Sequence, residues 1–206
     1  WLLAWLYTGT FGSFIGFAAA FPILLYALFP QADFVYWAFL GPVLGALVRP
    51  IGGWLSDRIG GAKVTFWNFA VMLAAAIGVL FNLPSGPGAS DPTGFVLAFG
   101  LLFITAGVGN GSVFNVVPSV FRKLHQSGEG NDGSASAAEI ETSVALGFTA
   151  SVAALGMFFI PALVAISIEN TGTAELALYI FVAFYASCLF VTWWWYRRQG
   201  AEIRCD

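Results

Sequence analysis

Arg49 stands inside an otherwise apolar run from about residue 34 to residue 55. At helical rise it lies about 6 Å from the middle of that run. A central arginine costs about 2.5–3.5 kcal/mol on insertion scales, so its charge needs an anion or water beside it. The interiors of the other apolar runs carry no Asp, Glu, Lys, Arg or His. Two readings follow. Arg49 pairs with a carboxylate that lies outside this chain, or it binds an anionic substrate. Intramembrane charges usually mark transport pathways, which favours the second. A guanidinium presents its donors as a flat fork, the shape of a planar oxyanion. Gly41, Gly45, Gly53 and Asp57 recur with Arg49 at every fourth position. Such a stripe opens a path for the long side chain, or simply forms a packing groove.

Other chemistry is thin. No paired carboxylates, no nucleophile with a base and no metal-ligand spacing occur in the apolar runs, so neither an enzyme nor a cofactor or metal is expected. Cys188 lies in an apolar run and Cys205 in the polar tail, which disfavours a disulfide between them. The net charge of −3 and the lack of a basic run argue against nucleic acid.

The elements that must hold Arg49 are membrane helices. The chain is 59% hydrophobic and only 9% charged, too few charges to cover a water-soluble surface. Apolar runs fall at about 1–29, 34–55, 64–83, 95–121, 143–167 and 175–196. Each reaches the roughly 20 residues that cross a bilayer as a helix. Polar loops rich in Gly and Pro separate them, the main ones at about 56–63 and 122–142, before a tail at about 197–206. Seven cations, Arg58, Lys63, Arg122, Lys123, Arg197, Arg198 and Arg204, all fall on one side if there are six spans. The positive-inside rule then puts that side, and the C-terminal tail, in the cytoplasm of a multi-pass cell-membrane protein. The aromatics Trp193, Trp194 and Trp195 fit the interface at the end of the last span. The chain opens on Trp1-Leu2-Leu3-Ala4-Trp5 with no charged leader, and the expectation is a segment without its N-terminal part.

Pro22, Pro42, Pro50, Pro118 and Pro161 lie within these runs and are expected to bend them. Gly107 and Gly111 have the spacing of a helix-packing pair, while Gly109 and Asn110 between them could expose donors to a bound oxyanion.

The segment Gly53-Trp54-Leu55-Ser56-Asp57-Arg58-Ile59-Gly60-Gly61-Ala62-Lys63 resembles the cytoplasmic-loop motif of the major facilitator superfamily. It departs at Gly61, where a basic residue is usual. Four further stretches are similar, in order, to the seventh, eighth, tenth and eleventh spans of nitrate/nitrite porters. They are Trp5 to Phe17, Gly41 to Arg49, Ala106 to Lys123, and Gly147 to Pro161. The resemblance implies an all-α, twelve-span fold in two six-span halves, this chain being the C-terminal one, with substrate between them. It implies that Arg49 and a second arginine in the other half hold the anion. Tyr7 and Phe11 match aromatics beside the substrate, and Asn110 and Gly147 fall in the matching stretches. Gly53, Asp57, Arg58 and Gly60 would form the conformational motif. The expected partners are nitrate or nitrite, the bilayer and the other half; the expected activity is alternating-access transport. The lack of a carboxylate in the apolar runs leans towards exchange of nitrate for nitrite over proton symport. The alternatives are a six-span homodimeric anion channel and a superfamily half for another small anion.

Overall fold

The computed structural model describes residues 1–30, 36–84, 92–126 and 134–197. The first span is one long helix in three pieces: α1 (Leu2–Tyr7), a π turn (Thr8–Gly12) and α2 (Ser13–Leu28). Then follow α3 (Leu40–Ile59), α4 (Gly61–Phe81), α5 (Pro92–Gln126), α6 (Ser134–Ala154), α7 (Gly156–Thr171) and α8 (Glu175–Val191), which closes in a second π segment, Thr192–Arg197. Among the described residues every regular element is helical. The protein is an all-helical, multi-pass membrane protein.

Among the described residues, five helical stretches are long and apolar enough to cross a bilayer: Leu2–Leu28, Gly61–Phe81, Pro92–Val120, Glu139–Thr171 and Glu175–Tyr196. α3, expected as the second span, is not among them. Its 20 residues would suffice, but Arg49, Asp57, its glycines and its prolines dilute its hydropathy. It also starts at Leu40 rather than near residue 34. Pro42 therefore falls in the first turn, where a missing N–H costs nothing, and only Pro50 interrupts the ladder. Arg49 becomes the tenth residue of the helix, at its middle.

The other limits also shift. The stretch expected as a loop at 56–63 is helical except at Gly60, which joins α3 to α4 alone with φ +96°. Only glycine adopts that conformation without strain. The stretch expected as a loop at 122–142 is helical up to Gln126 and again from Ser134. Hydropathy marks the part of a helix that lipid covers, whereas these helices run on through polar good formers. The expected span 143–167 is two helices, parted at Leu155. Gly156 lies close against the backbone of Gly12 there, and Pro161 removes a ladder bond one turn further on.

Packing explains the order of the glycines. α3 lies most extensively against α5, and α5 in turn against α4. A Cβ on Gly107 would overlap the Gly45 carbonyl, one on Gly52 the Val108 carbonyl, and one on Gly111 the Arg49 carbonyl. The two backbones touch along this seam, so packing is what Gly107 and Gly111 do. Between α2 and α5 the core is aromatic. Phe95, Phe99 and Phe103 repeat every fourth residue on α5 and meet Phe14, Phe17 and Phe21, with Phe21 and Phe99 stacked at 4.7 Å. Buried hydroxyls are paired across helices: Tyr185 donates to Ser13 at 2.9 Å, and Thr65 and Ser112 share a bond at 3.0 Å.

Candidate functional site

Arg49 is half-buried at the middle of α3. Its guanidinium carbon lies 5.5 Å from the centre of the Phe11 ring and 5.3 Å from that of Phe14. Tyr7, one turn before Phe11, stacks on that ring at 5.3 Å with planes 23° apart, and its hydroxyl interacts with the guanidinium. The cation therefore rests on two aromatic faces beside one hydroxyl. Cation–π contacts of this kind contribute about 0.5–2 kcal/mol, part of what desolvating the charge costs. No described carboxylate joins the group. Asp57 is two turns away, Glu169 and Glu175 sit at the ends of α7 and α8, and Glu139 and Glu141 lie in the N-terminal half of α6. A guanidinium carries five N–H donors in one plane, so one hydroxyl beside it leaves donors for a further acceptor.

The first helix positions this group. The π turn Thr8–Gly12 lies directly after Tyr7 and contains Phe11, and it brings both rings to α3. Single π turns of this kind recur at functional sites. The family resemblance singled out Tyr7 and Phe11, and the structure brings both to Arg49. Phe14 was missed. It is three residues after Phe11, but its place beside Arg49 depends on how α2 docks on α3, where Gly45 leaves room for its ring.

The remaining expected residues are dispersed. Asn110 is 2% exposed, and its amide nitrogen has no acceptor. Asn68 on α4, which sequence reading did not single out, has the same condition at 6% exposure. Gly147 lies on an exposed face of α6, where a Cβ would meet nothing within 4 Å. Nothing brings it to Arg49 within the described residues.

The motif residues form a separate cluster at the end of α3. The side-chain amide of Asn115 on α5 donates to Asp57 Oδ1 at 3.0 Å and to the Gly53 carbonyl at 3.1 Å. Arg58 lies over the Trp54 ring at 4.2 Å. Asn115 is a further residue that spacing could not reveal, because it lies 62 positions from Gly53 and contact depends on how α5 docks. Replacing Asp57 by Asn removes a charged acceptor from this clasp without touching Arg49. In the full-length protein we expect turnover to fall severalfold while substrate affinity stays within about twofold, since a clasp biases states rather than contacting ligand. Lost affinity at a normal transport rate would refute this.

The architecture defines a class, a segment of a polytopic helical membrane protein. No family model matches the chain. It is 40% identical over 204 residues to the nitrate/nitrite transporter NarU of Salmonella typhimurium, which covers 97% of this chain and 44% of that protein. It is 37% identical over 210 residues to the probable nitrate/nitrite antiporter NarK2 of Thermus thermophilus, across 100% of this chain and 43% of the relative. Similarity to the probable nitrate transporter NarT of Staphylococcus carnosus is 29% over 160 residues, 78% of this chain. The chain spans less than half the length of these curated relatives. It belongs to the nitrate/nitrite transporter family of the major facilitator superfamily. Its relatives are named transporters and antiporters, not enzymes.

Proposed function

We propose that this chain is the C-terminal six-helix half of a twelve-helix transporter that carries nitrate, nitrite or both by alternating access, and that Arg49 binds the anion. The observation that carries this reading is a mid-helix guanidinium held by Phe11, Phe14 and Tyr7 with no carboxylate partner among the described residues. An oxyanion supplies the missing charge and accepts bonds from the donor edge. A second arginine from the other half faces Arg49. Unscreened, the two resist closure; a bound anion neutralises them and lets the halves rock. Asn110 supplies a further amide donor, and Gly147 an uncrowded stretch of α6 backbone. Gly53, Asp57, Arg58 and Gly60 bias the access states. Full-length protein in proteoliposomes should show saturable nitrate uptake accelerated by nitrite on the opposite side. Flux that neither saturates nor shows counterflow would indicate a channel and overturn the carrier.

In the same reading the loop between α3 and α4, the one after α5 and the tail are cytoplasmic; the last two extend over residues outside those described. Single cysteines replacing Ile59 and Phe81, at opposite ends of the α3–α4 hairpin turn and of α4, should label from opposite faces of the membrane. Labelling from one face would sink this topology.

A further inference from the structure

Three of the membrane stretches, Leu2–Leu28, Glu139–Thr171 and Glu175–Tyr196, leave a cavity of about 780 Å³ between them. Trp5, Leu155 and Phe159 on its wall are about half exposed, whereas Ala4, Ile160 and Phe181 are buried. It is therefore a crevice with an open mouth and a covered floor. Both α6 and α8 pack on α1 but scarcely meet each other. The wall is almost wholly carbon. Its polar side chains are engaged within the protein: Trp5 Nε1 donates to Ser187 Oγ at 3.0 Å, Thr8 Oγ1 donates to the Ala4 carbonyl at 2.8 Å, and Ser13 Oγ accepts from Tyr185 at 2.9 Å. That leaves no cluster of polar groups to hold a water, which needs two to four partners. The depth is that of one leaflet. Trp1 and Val191 border the cavity near the end where the first stretch begins and the last one finishes, and Ser13 and Leu155 border it near mid-span. From Trp1 to Ser13 is about 18 Å at helical rise, and half of a hydrocarbon core is about 15 Å. Tyr7, Phe11, Phe14 and Arg49 do not border it. Trp1, Trp5 and Thr8 form one face of the first helix, while Tyr7, Phe11 and Phe14 belong to another.

We propose that this cavity is a lipid site and holds one acyl chain of a membrane phospholipid. Hydrocarbon is the medium that surrounds these helices, and a chain entering from it has no hydration to shed. Once inside, it supplies the van der Waals contacts that the bare carbon walls lack. A polar solute would leave its water and find nothing to bond. The volume lies within the roughly 300–1,000 Å³ of pockets that enclose small ligands. The seated chain touches two discontinuities of the fold. It lies against Thr8, the first residue of the π turn that carries Phe11, and against Leu155 and Gly156, where α6 parts from α7. It also fills the space between α6 and α8. The site is apart from the seat of Arg49, so the inference goes beyond the transport reading and does not depend on it.

The test is photolabelling of the full-length protein in phosphatidylcholine nanodiscs. The probe is a phosphatidylcholine with a diazirine midway along one acyl chain, and labelled residues are mapped by mass spectrometry. Ile160 lies on the floor of the cavity, whereas Leu102, also aliphatic, is buried in the aromatic core away from it. Ile160 should be labelled severalfold more often than Leu102. Val152→Phe and Leu163→Phe each place a ring in the cavity. Either should remove most of the excess at Ile160, while labelling of the exposed Phe190, outside the cavity, stays unchanged. Equal labelling of Ile160 and Leu102 in the unaltered protein overturns the proposal, because the cavity is then closed, wet or covered by the rest of the transporter. An excess at Ile160 that persists in both variants, with folding confirmed by size exclusion, overturns it too. Where neither variant folds, the comparison of Ile160 with Leu102 decides.

Discussion

Replacing Arg49 by Lys in the full-length protein is expected to lower nitrate affinity by roughly ten- to a hundredfold while leaving insertion intact. That corresponds to about 1.5–3 kcal/mol, the loss of one charge-assisted hydrogen bond. Lysine preserves the charge, so a role that needs only a positive field survives the change. It does not preserve the plane. The guanidinium, its carbon 5.5 and 5.3 Å from the centres of the Phe11 and Phe14 rings, carries its donors in one plane, whereas an ammonium is a point with three rotating donors. Hydrogen bonding to two oxygens of a flat anion is lost first. An ammonium in so apolar a place also sheds its proton more readily than a guanidinium, which would remove the charge as well. Binding by calorimetry and counterflow in proteoliposomes measure the effect, with folding checked by size exclusion and thermal midpoint. A well-folded Lys variant with near-native nitrate affinity would leave Arg49 as a generic charge and end its assignment to the anion.

The second large effect is expected from a methyl group. Gly107→Ala places a Cβ inside the Gly45 carbonyl, whose carbon would be only 2.8 Å away. A side chain could rotate aside; a backbone carbonyl in a helix cannot. α3 must move away from α5, and Arg49 moves with it, because the Arg49 carbonyl is packed against Gly111 one turn along the same seam. Overpacking of this kind costs about 1–3 kcal/mol. The thermal midpoint should fall by several degrees and nitrate affinity should fall with it. Gly100→Ala, on the same helix, is the control. A Cβ there meets nothing within 4 Å, and alanine is the better helix former by about 0.8–1.0 kcal/mol. It should be neutral or stabilising. If the two variants behave alike, the seam is not the close contact described here.

What could be read without coordinates was whatever the bilayer enforces residue by residue. Apolar runs of span length, breaker-rich connections and a cation isolated among them are local properties, and lipid penalises each deviation at once. Arg49 was legible for that reason, whereas Tyr7 and Phe11 were singled out by the resemblance to the porter family and not by their surroundings in the sequence. The limits of α3 were less so. Arg49, Asp57 and the glycines lower its hydropathy, and the polar residues 56–59 continue its helix, because helix ends follow backbone hydrogen bonding and not the hydrocarbon edge. Breaks were partly legible: Pro161 and Gly156 signal the one at Leu155, but nothing local marks Thr8–Gly12 as a π turn.

The sequence by itself determined the class of protein, its helices and the residue types that can meet an anion. Those follow from solvent and from bonds between near neighbours in the chain. Tertiary structure alone decided that Phe14 completes the aromatic seat of Arg49, that Asn115 clasps Asp57, that Gly107 touches Gly45, and that the Asn68 amide lies against Gly109. Each of these joins residues more than 30 positions apart. Which faces of two helices meet depends on how side chains of both fit together, and no window along one helix contains that information.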